Sequence, residues 1–176
     1  KVYTIEDATQ PVNNYGQTKL AGEQAVIAAN PRHYVIRTSW VFGVGKENFL
    51  SIIHRQLKAG KHGKVVSDCW ASATYVADLA KRTSEIIASQ HYGVYHVVND
   101  GICSYVEFAL EAGRLVGLTE HQTRELMELI PDAQIQRPAK RPRYTPMRCL
   151  LSAQVGLSPL RRWQDALADY IATTDG

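Results

Sequence analysis

A β-branched and aromatic run, Tyr34-Val-Ile-Arg-Thr-Ser-Trp-Val-Phe42, constrains the fold more than any other stretch of the chain. It follows a segment of helix formers over 14–30, closed at Asn30-Pro31 because proline has no amide hydrogen with which to continue the ladder. A helix leading into such a strand is one αβ step of a parallel sheet. A parallel strand leaves unpaired groups on any edge without a neighbour, and no partner is predicted beside this run within the chain. The expectation is that the N-terminal strands of the sheet lie outside a chain that begins at Lys1 rather than Met.

The remainder reads as short helices and strands separated by long loops, an α/β pattern. A helix is expected over 47–59, with Phe49, Ile52, Ile53 and Leu57 on one face and Gly60 as its stop. A strand over 64–67, a loop over 68–74 and a helix over 75–89 follow, with Val76, Leu79, Ala80, Ile86 and Ile87 of that helix inward. Val94 to Val98 reads as another strand, ended by Asn99-Asp100-Gly101. Ser104 with Glu107, and Thr119 with Gln122, have the spacing of capping boxes for two further helices, the second over 119–129. A proline-rich stretch runs over 131–146, and Ser158-Pro159 opens a last helix over 159–173.

A chain of 176 residues buries about 70% of its unfolded surface, so it needs no disulfide or metal to hold a core. Its net charge of +3, from 20 Lys and Arg against 17 Asp and Glu, is too mild for a nucleic-acid partner. No apolar run reaches the roughly 18 residues of a membrane span, and no leader is visible, so a cytoplasmic protein is expected. Cys69, Cys103 and Cys149 make no CxxC pair, which fits free thiols in a reducing compartment. The six histidines show neither HxH nor HExxH spacing, so no metal is expected.

Three features carry chemistry. Tyr15 and Lys19, four apart, share one helix face, though spacing alone favours a surface tyrosine packed on a lysine stem. Trp40, toward the carboxyl end of its strand, is either core or the wall of a ligand cleft, since open α/β sheets gather ligands at that end. Arg137, Lys140, Arg141, Arg143 and Arg148, interleaved with Pro138, Pro142 and Pro146, form a solvated basic loop or a clamp for a phosphorylated small molecule.

Tyr15-Gly-Gln-Thr-Lys-Leu-Ala-Gly-Glu23, Arg37-Thr-Ser-Trp-Val-Phe-Gly43, Val65-Val-Ser-Asp68, Thr74-Tyr-Val-Ala-Asp-Leu-Ala80 and Gly93-Val-Tyr-His-Val-Val-Asn99 together resemble the dTDP-4-dehydrorhamnose reductase family of extended short-chain dehydrogenases/reductases. The resemblance runs from about Tyr3 to Tyr170. It implies a partial NAD(P)-binding Rossmann-like sheet, with its helix and strand in 1–46. A smaller α/β substrate-binding domain would fill 47–176, with the strand near 94–98 returning to the sheet. The implied reaction is NADPH-dependent reduction of the C4 ketone of dTDP-4-dehydrorhamnose, with NADH as the other cofactor to consider.

Hydride addition to a ketone leaves an alkoxide that must take a proton as it forms. A phenol holds its proton tightly near neutrality, and an ammonium about 4 Å away at an effective dielectric near 20 contributes roughly 4 kcal/mol toward releasing it. By the resemblance, Tyr15 is the proton donor, and Lys19 tunes it and holds the ribose hydroxyls of the cofactor. Trp40 is implied as a wall of the sugar-nucleotide pocket and Arg141 as a phosphate contact. The pattern departs from the family at Cys69, Ala71 and Ala73, and at Tyr144 and Thr145, which puts the exact sugar in doubt.

No GxxGxxG turn follows a strand, and the Ser/Thr that polarises the carbonyl in such enzymes would lie before Lys1. The isolated chain is therefore expected to turn over little. Two alternatives stand beside the reductase reading: a non-catalytic binding subunit of the same fold, and a related nucleotide-sugar epimerase or dehydratase. The partners expected are a dTDP-sugar and, compatibly, a second copy of the chain.

Overall fold

The computed structural model describes residues 1–45 and 47–175. The elements in order are α1 (Asn14–Ala29), β1 (Tyr34–Arg37), β2 (Val41–Phe42), α2 (Phe49–Lys58), β3 (Gly63–Val66), β4 (Trp70–Ala71), β5 (Thr74–Tyr75), α3 (Val76–Ser89) and β6 (Gly93–His96). They continue with β7 (Cys103–Ser104), α4 (Tyr105–Leu115), α5 (Glu120–Glu125), β8 (Met127–Ile130), a 3₁₀ turn (Asp132–Gln134), β9 (Tyr144–Thr145), α6 (Leu151–Gln154) and α7 (Trp163–Asp175). The class is mixed α/β. The domain boundary expected at 46 falls on Lys46, outside the described residues, as does Gly176.

The first strand does have a parallel neighbour within the chain. β1 pairs with β6 in the register Tyr34 with Gly93 to Arg37 with His96. Only its other edge is open among the described residues. The run 34–42 is also not one strand. Trp40 takes φ +38°, a left-handed conformation rare for a bulky residue, and the chain turns there. β2 then pairs with β5, not with β6. The residues read as a loop over 68–74 carry β4, which lies between β7 and β9.

The expected helix over 119–129 ends at Glu125. Its continuation is β8, drawn into parallel pairing with β3 from Gly63 with Met127 to Val66 with Ile130. The last helix starts at Trp163, not at Pro159. Main-chain bonds between Asp100 and the Arg161–Trp163 segment hold that segment against the loop after β6. In α3, Ile86 is buried as expected, whereas Val76, Ala80 and Ile87 face solvent.

Two apolar cores result. The larger joins α2, α4 and α7 through Phe42, Leu50, Ile53, Leu57, Phe108, Trp163, Leu167 and Tyr170. The smaller sets Ile86, Tyr95 and Val97 beneath Tyr34, Ile36 and Leu151. α1 belongs to neither and buries no residue.

Candidate active site

α1 begins where Asn13, in extended backbone, turns its side chain back to accept the Gly16 amide hydrogen at 2.8 Å. Two residues later Tyr15 projects from the first turn, 70% exposed. The Lys19 ammonium sits 5.5 Å from the centroid of the Tyr15 ring, so the two side chains share a face as the spacing requires. Lys19 has no carboxylate partner among the described residues. One turn further, Glu23 accepts two hydrogen bonds from the Arg37 guanidinium of β1, one of them from Nε at 2.9 Å. The pair is largely shielded, and Glu23 holds Arg37 more firmly charged than usual. Arg37 Nη1 also lies 3.4 Å from His96 Nε2. Burial, reinforced by this guanidinium, pushes the His96 pKa down.

Trp40 and Arg141, expected to contact the substrate, line one cleft. Its cavity of about 100 Å³ is bounded by Trp40, Cys69, Tyr105, Asp132, Arg137, Arg141, Pro142 and Thr145. The indole stacks on Tyr105 with ring centroids 4.0 Å apart and an interplanar angle of 22°. Phe49 meets Tyr105 edge-on from behind, at 5.1 Å. Burial pushes the Tyr105 phenol pKa up, with Arg141 opposing. A left-handed backbone at a non-glycine residue costs about 1–3 kcal/mol and persists where its surroundings enforce it. Here Thr74 donates its amide hydrogen to the Trp40 carbonyl at 3.2 Å and its hydroxyl to the Ser39 carbonyl at 2.7 Å.

The charges of the cleft are unevenly balanced. Arg137 pairs with Asp132, and Arg143 lies 3.3 Å from Asp68, which in turn accepts the Asp132 amide hydrogen at 2.7 Å. Arg141 alone of these three arginines has no carboxylate partner among the described residues. Burial, with the nearby Asp132 carboxylate, holds the Cys69 thiol above its usual pKa, which keeps it a neutral wall atom.

Tyr105 escaped the sequence reading. It stands at the first position of α4, directly after a cap serine, and an aromatic there has no period to betray it. Arg37 was read only as part of a strand, although a cation on an otherwise apolar run is a signal that it has a buried partner. Asp78, within the motif Thr74-Tyr-Val-Ala-Asp-Leu-Ala80, is tied down on several sides. It opens α3 and accepts from Arg161 at 2.8 and 3.0 Å and from Asn99 Nδ2 at 2.7 Å.

The family described as "RmlD substrate binding domain" matches residues 1–175. The chain belongs to this family. A dTDP-4-dehydrorhamnose reductase of Mycolicibacterium smegmatis is 40% identical to it, over 99% of this chain and 54% of that protein. The chain thus spans about half the length of the curated relatives it matches. Among solved structures, a dTDP-4-dehydrorhamnose reductase from Clostridium acetobutylicum superposes on all of this chain and 61% of its own, with a TM-score of 0.88 and 32% identity. The Bacillus anthracis enzyme of the same name, in complex with NADP, gives a TM-score of 0.88 at 29% identity, covering 98% of this chain and 59% of its own. A Bacillus anthracis dTDP-glucose 4,6-dehydratase shares the fold at 16% identity, with a TM-score of 0.81. Among the described residues no helix is long and apolar enough to cross a membrane.

Proposed function

We propose that this chain is the sugar-nucleotide-binding and proton-donating part of an NADPH-dependent reductase acting on the C4 ketone of dTDP-4-dehydrorhamnose. The observation that carries the reading is one arrangement of parts. Trp40 and an uncompensated Arg141 line a single cleft, and the side chain of Asn13 ties the Arg141 loop to the start of the helix that presents Tyr15 beside Lys19. The division of labour falls near residue 46, with β6 returning from the later part to complete the β1 pair. The three thiols are free, which suits a reducing cytoplasm. For a second copy of the chain, the support is that α1 leaves Val26 and Ile27 uncovered.

The residues present fit one end of the nucleotide cofactor. An exposed ammonium without a carboxylate partner, next to a phenol, suits a ribose diol, so Lys19 would hold the ribose hydroxyls. NADPH, when bound, supplies the hydride. The Tyr15 hydroxyl then gives its proton to the oxygen at C4 as negative charge gathers there, and Lys19 stabilises the phenolate left behind. The indole of Trp40 offers a flat apolar wall to the sugar, and Arg141 a forked donor to the diphosphate. The Trp40–Tyr105 stack keeps that wall upright. At the observed exposure of Tyr15, water screens the ammonium, so the full electrostatic benefit needs a site closed over the pair.

The test is to assay NADPH oxidation with dTDP-4-dehydrorhamnose. The chain alone should turn over little. Joined to the nucleotide-binding part of the Mycolicibacterium smegmatis relative it should regain activity, and Tyr15→Phe in that assembly should lower kcat by about 10²–10⁴-fold. Turnover that survives Tyr15→Phe unchanged defeats the assignment.

A further inference from the structure

The helix that carries Tyr15 and Lys19 is not located by packing, because none of its residues is buried. Polar bonds must place it. In its third turn Glu23 is fixed to Arg37 of β1. At its start the fixing group is Asn13, which bonds in two directions. Its Oδ1 accepts the Gly16 amide hydrogen at 2.8 Å and its Nδ2 donates to the Lys140 carbonyl at 2.8 Å. The turn is tightly wound: a Cβ on residue 16 would lie 3.0 Å from Pro11 Cβ and 3.4 Å from Asn13 Oδ1.

The far side of the bond is a loop with little else to hold it. Its flanks are pinned by the Arg137–Asp132 pair and by the Trp70 amide hydrogen donated to the Arg143 carbonyl at 2.7 Å. Between them, over 138–142, the Asn13 amide makes the only hydrogen bond among the described residues. Pro138 and Pro142 have no amide hydrogen of their own to offer. The residue after Lys140 is Arg141, the unpaired cation of the cleft.

From this geometry we infer that Asn13 is a positioning residue, which holds Arg141 in register with the proton-donating helix by capping that helix and gripping the arginine loop with one amide group. The inference rests on the functional reading above for what Arg141 and Tyr15 do. The residue type is required by the double task. A carboxylate caps a helix but has no hydrogen to donate, and a serine hydroxyl caps but is shorter than the span to Lys140.

That asymmetry gives the experiment. Asn13→Asp keeps the acceptor for Gly16 and removes the donor to Lys140. Limited tryptic digestion of the purified chain should then cut the Lys140–Arg141 bond roughly fivefold faster, the ratio one net hydrogen bond supports, while the first-turn amides of α1 keep their hydrogen-exchange rates. Asn13→Ala should accelerate both. Unchanged cutting at Lys140–Arg141 in Asn13→Asp overturns the inference, and so does equal loosening of loop and helix in that variant.

The second arm titrates the chain with thymidine diphosphate by calorimetry. Asn13→Asp should weaken binding several-fold, but in an Arg141→Ala background it should weaken it no further, because the two residues act through one another. Independent, multiplying losses overturn the inference. Failure of the unsubstituted chain to bind thymidine diphosphate would count against the functional reading, with the digestion experiment still deciding the role of Asn13.

Discussion

Phe108 and Tyr15 both project from helices of this chain, yet one is sealed and the other is 70% exposed. Phe108 on α4 meets Phe42 edge-on at 5.3 Å and stacks on Trp163 at 5.6 Å, so its position is set from several sides by close packing. α1 has no such setting. Its Ala-rich body is helical by local preference, Asn13 caps it, and two directed polar links hold it in place. The part with the Trp40 cleft packs a core of its own, whereas the flank with Tyr15 and Lys19 leaves Val26 and Ile27 exposed. The cleft of this chain is therefore set by packing, whereas α1 is set by a few directed bonds.

The contrast can be broken in three places. Phe108→Ala should remove about 3–5 kcal/mol of stability in urea unfolding, as expected for truncating a sealed aromatic. A loss below about 1 kcal/mol would mean that the larger core is not packed as described.

A sharper comparison makes one substitution in both regions. At Gly113 a new Cβ would lie 2.2 Å from Thr123 Oγ1 and 3.0 Å from Thr123 Cβ. Thr123 is fully buried and donates to the Thr119 carbonyl, so it cannot give way. Gly113→Ala should therefore destabilise by about 1–3 kcal/mol. At Gly22 a Cβ meets nothing within 4 Å, and Gly22→Ala should stabilise α1 by about 0.5–1 kcal/mol. Circular-dichroism melts of the two variants should move in opposite directions, and movement in the same direction would erase the distinction between the flanks.

The smallest effect expected is a response to acid at the seam between them. His96 is buried beside Arg37, with lesser opposing pulls from the Arg148 and Tyr3 main chain and the Glu23 carboxylate, and its pKa is lowered in the fold. Below the ordinary histidine value of about 6.5, the unfolded chain takes up a proton that the folded chain refuses. Stability from this residue is thus full above that pH and declines as the pH falls toward the depressed folded value. Comparing urea midpoints at pH 7.5 and 5.5 for the parent and His96→Gln checks it, and an identical decline in both would clear His96 of the effect.

Local chemistry was readable and long-range pairing was not. The capping box of Ser104 and Glu107 is present in both directions, at 3.1 and 2.7 Å, because four adjacent residues contain everything it needs. The residues Met127–Ile130 read as helix by local pattern, and only pairing with Gly63–Val66, far back in the chain, makes them a strand. The residue pattern alone likewise gives β1 no partner, and the return of 94–98 to the sheet comes only from the family resemblance. At the candidate site, one-turn spacing sets Tyr15 beside Lys19, but the meeting of Trp40, Tyr105 and Arg141 depends on a turn, a helix start and a loop far apart in the chain. The left-handed turn at Trp40 leaves no trace in residue type, since tryptophan is not a residue that prefers it.

That turn has a mechanical consequence. Tyr34 and Ile36 pack with one core and Phe42 with the other, and only Thr38, Ser39 and Trp40 separate β1 from β2. The indole is thus tethered to both packed units through a three-residue bridge, and its stack on Tyr105 ties it to α4 as well. Its emission, isolated by replacing Trp70 and Trp163, would report a shift of either unit.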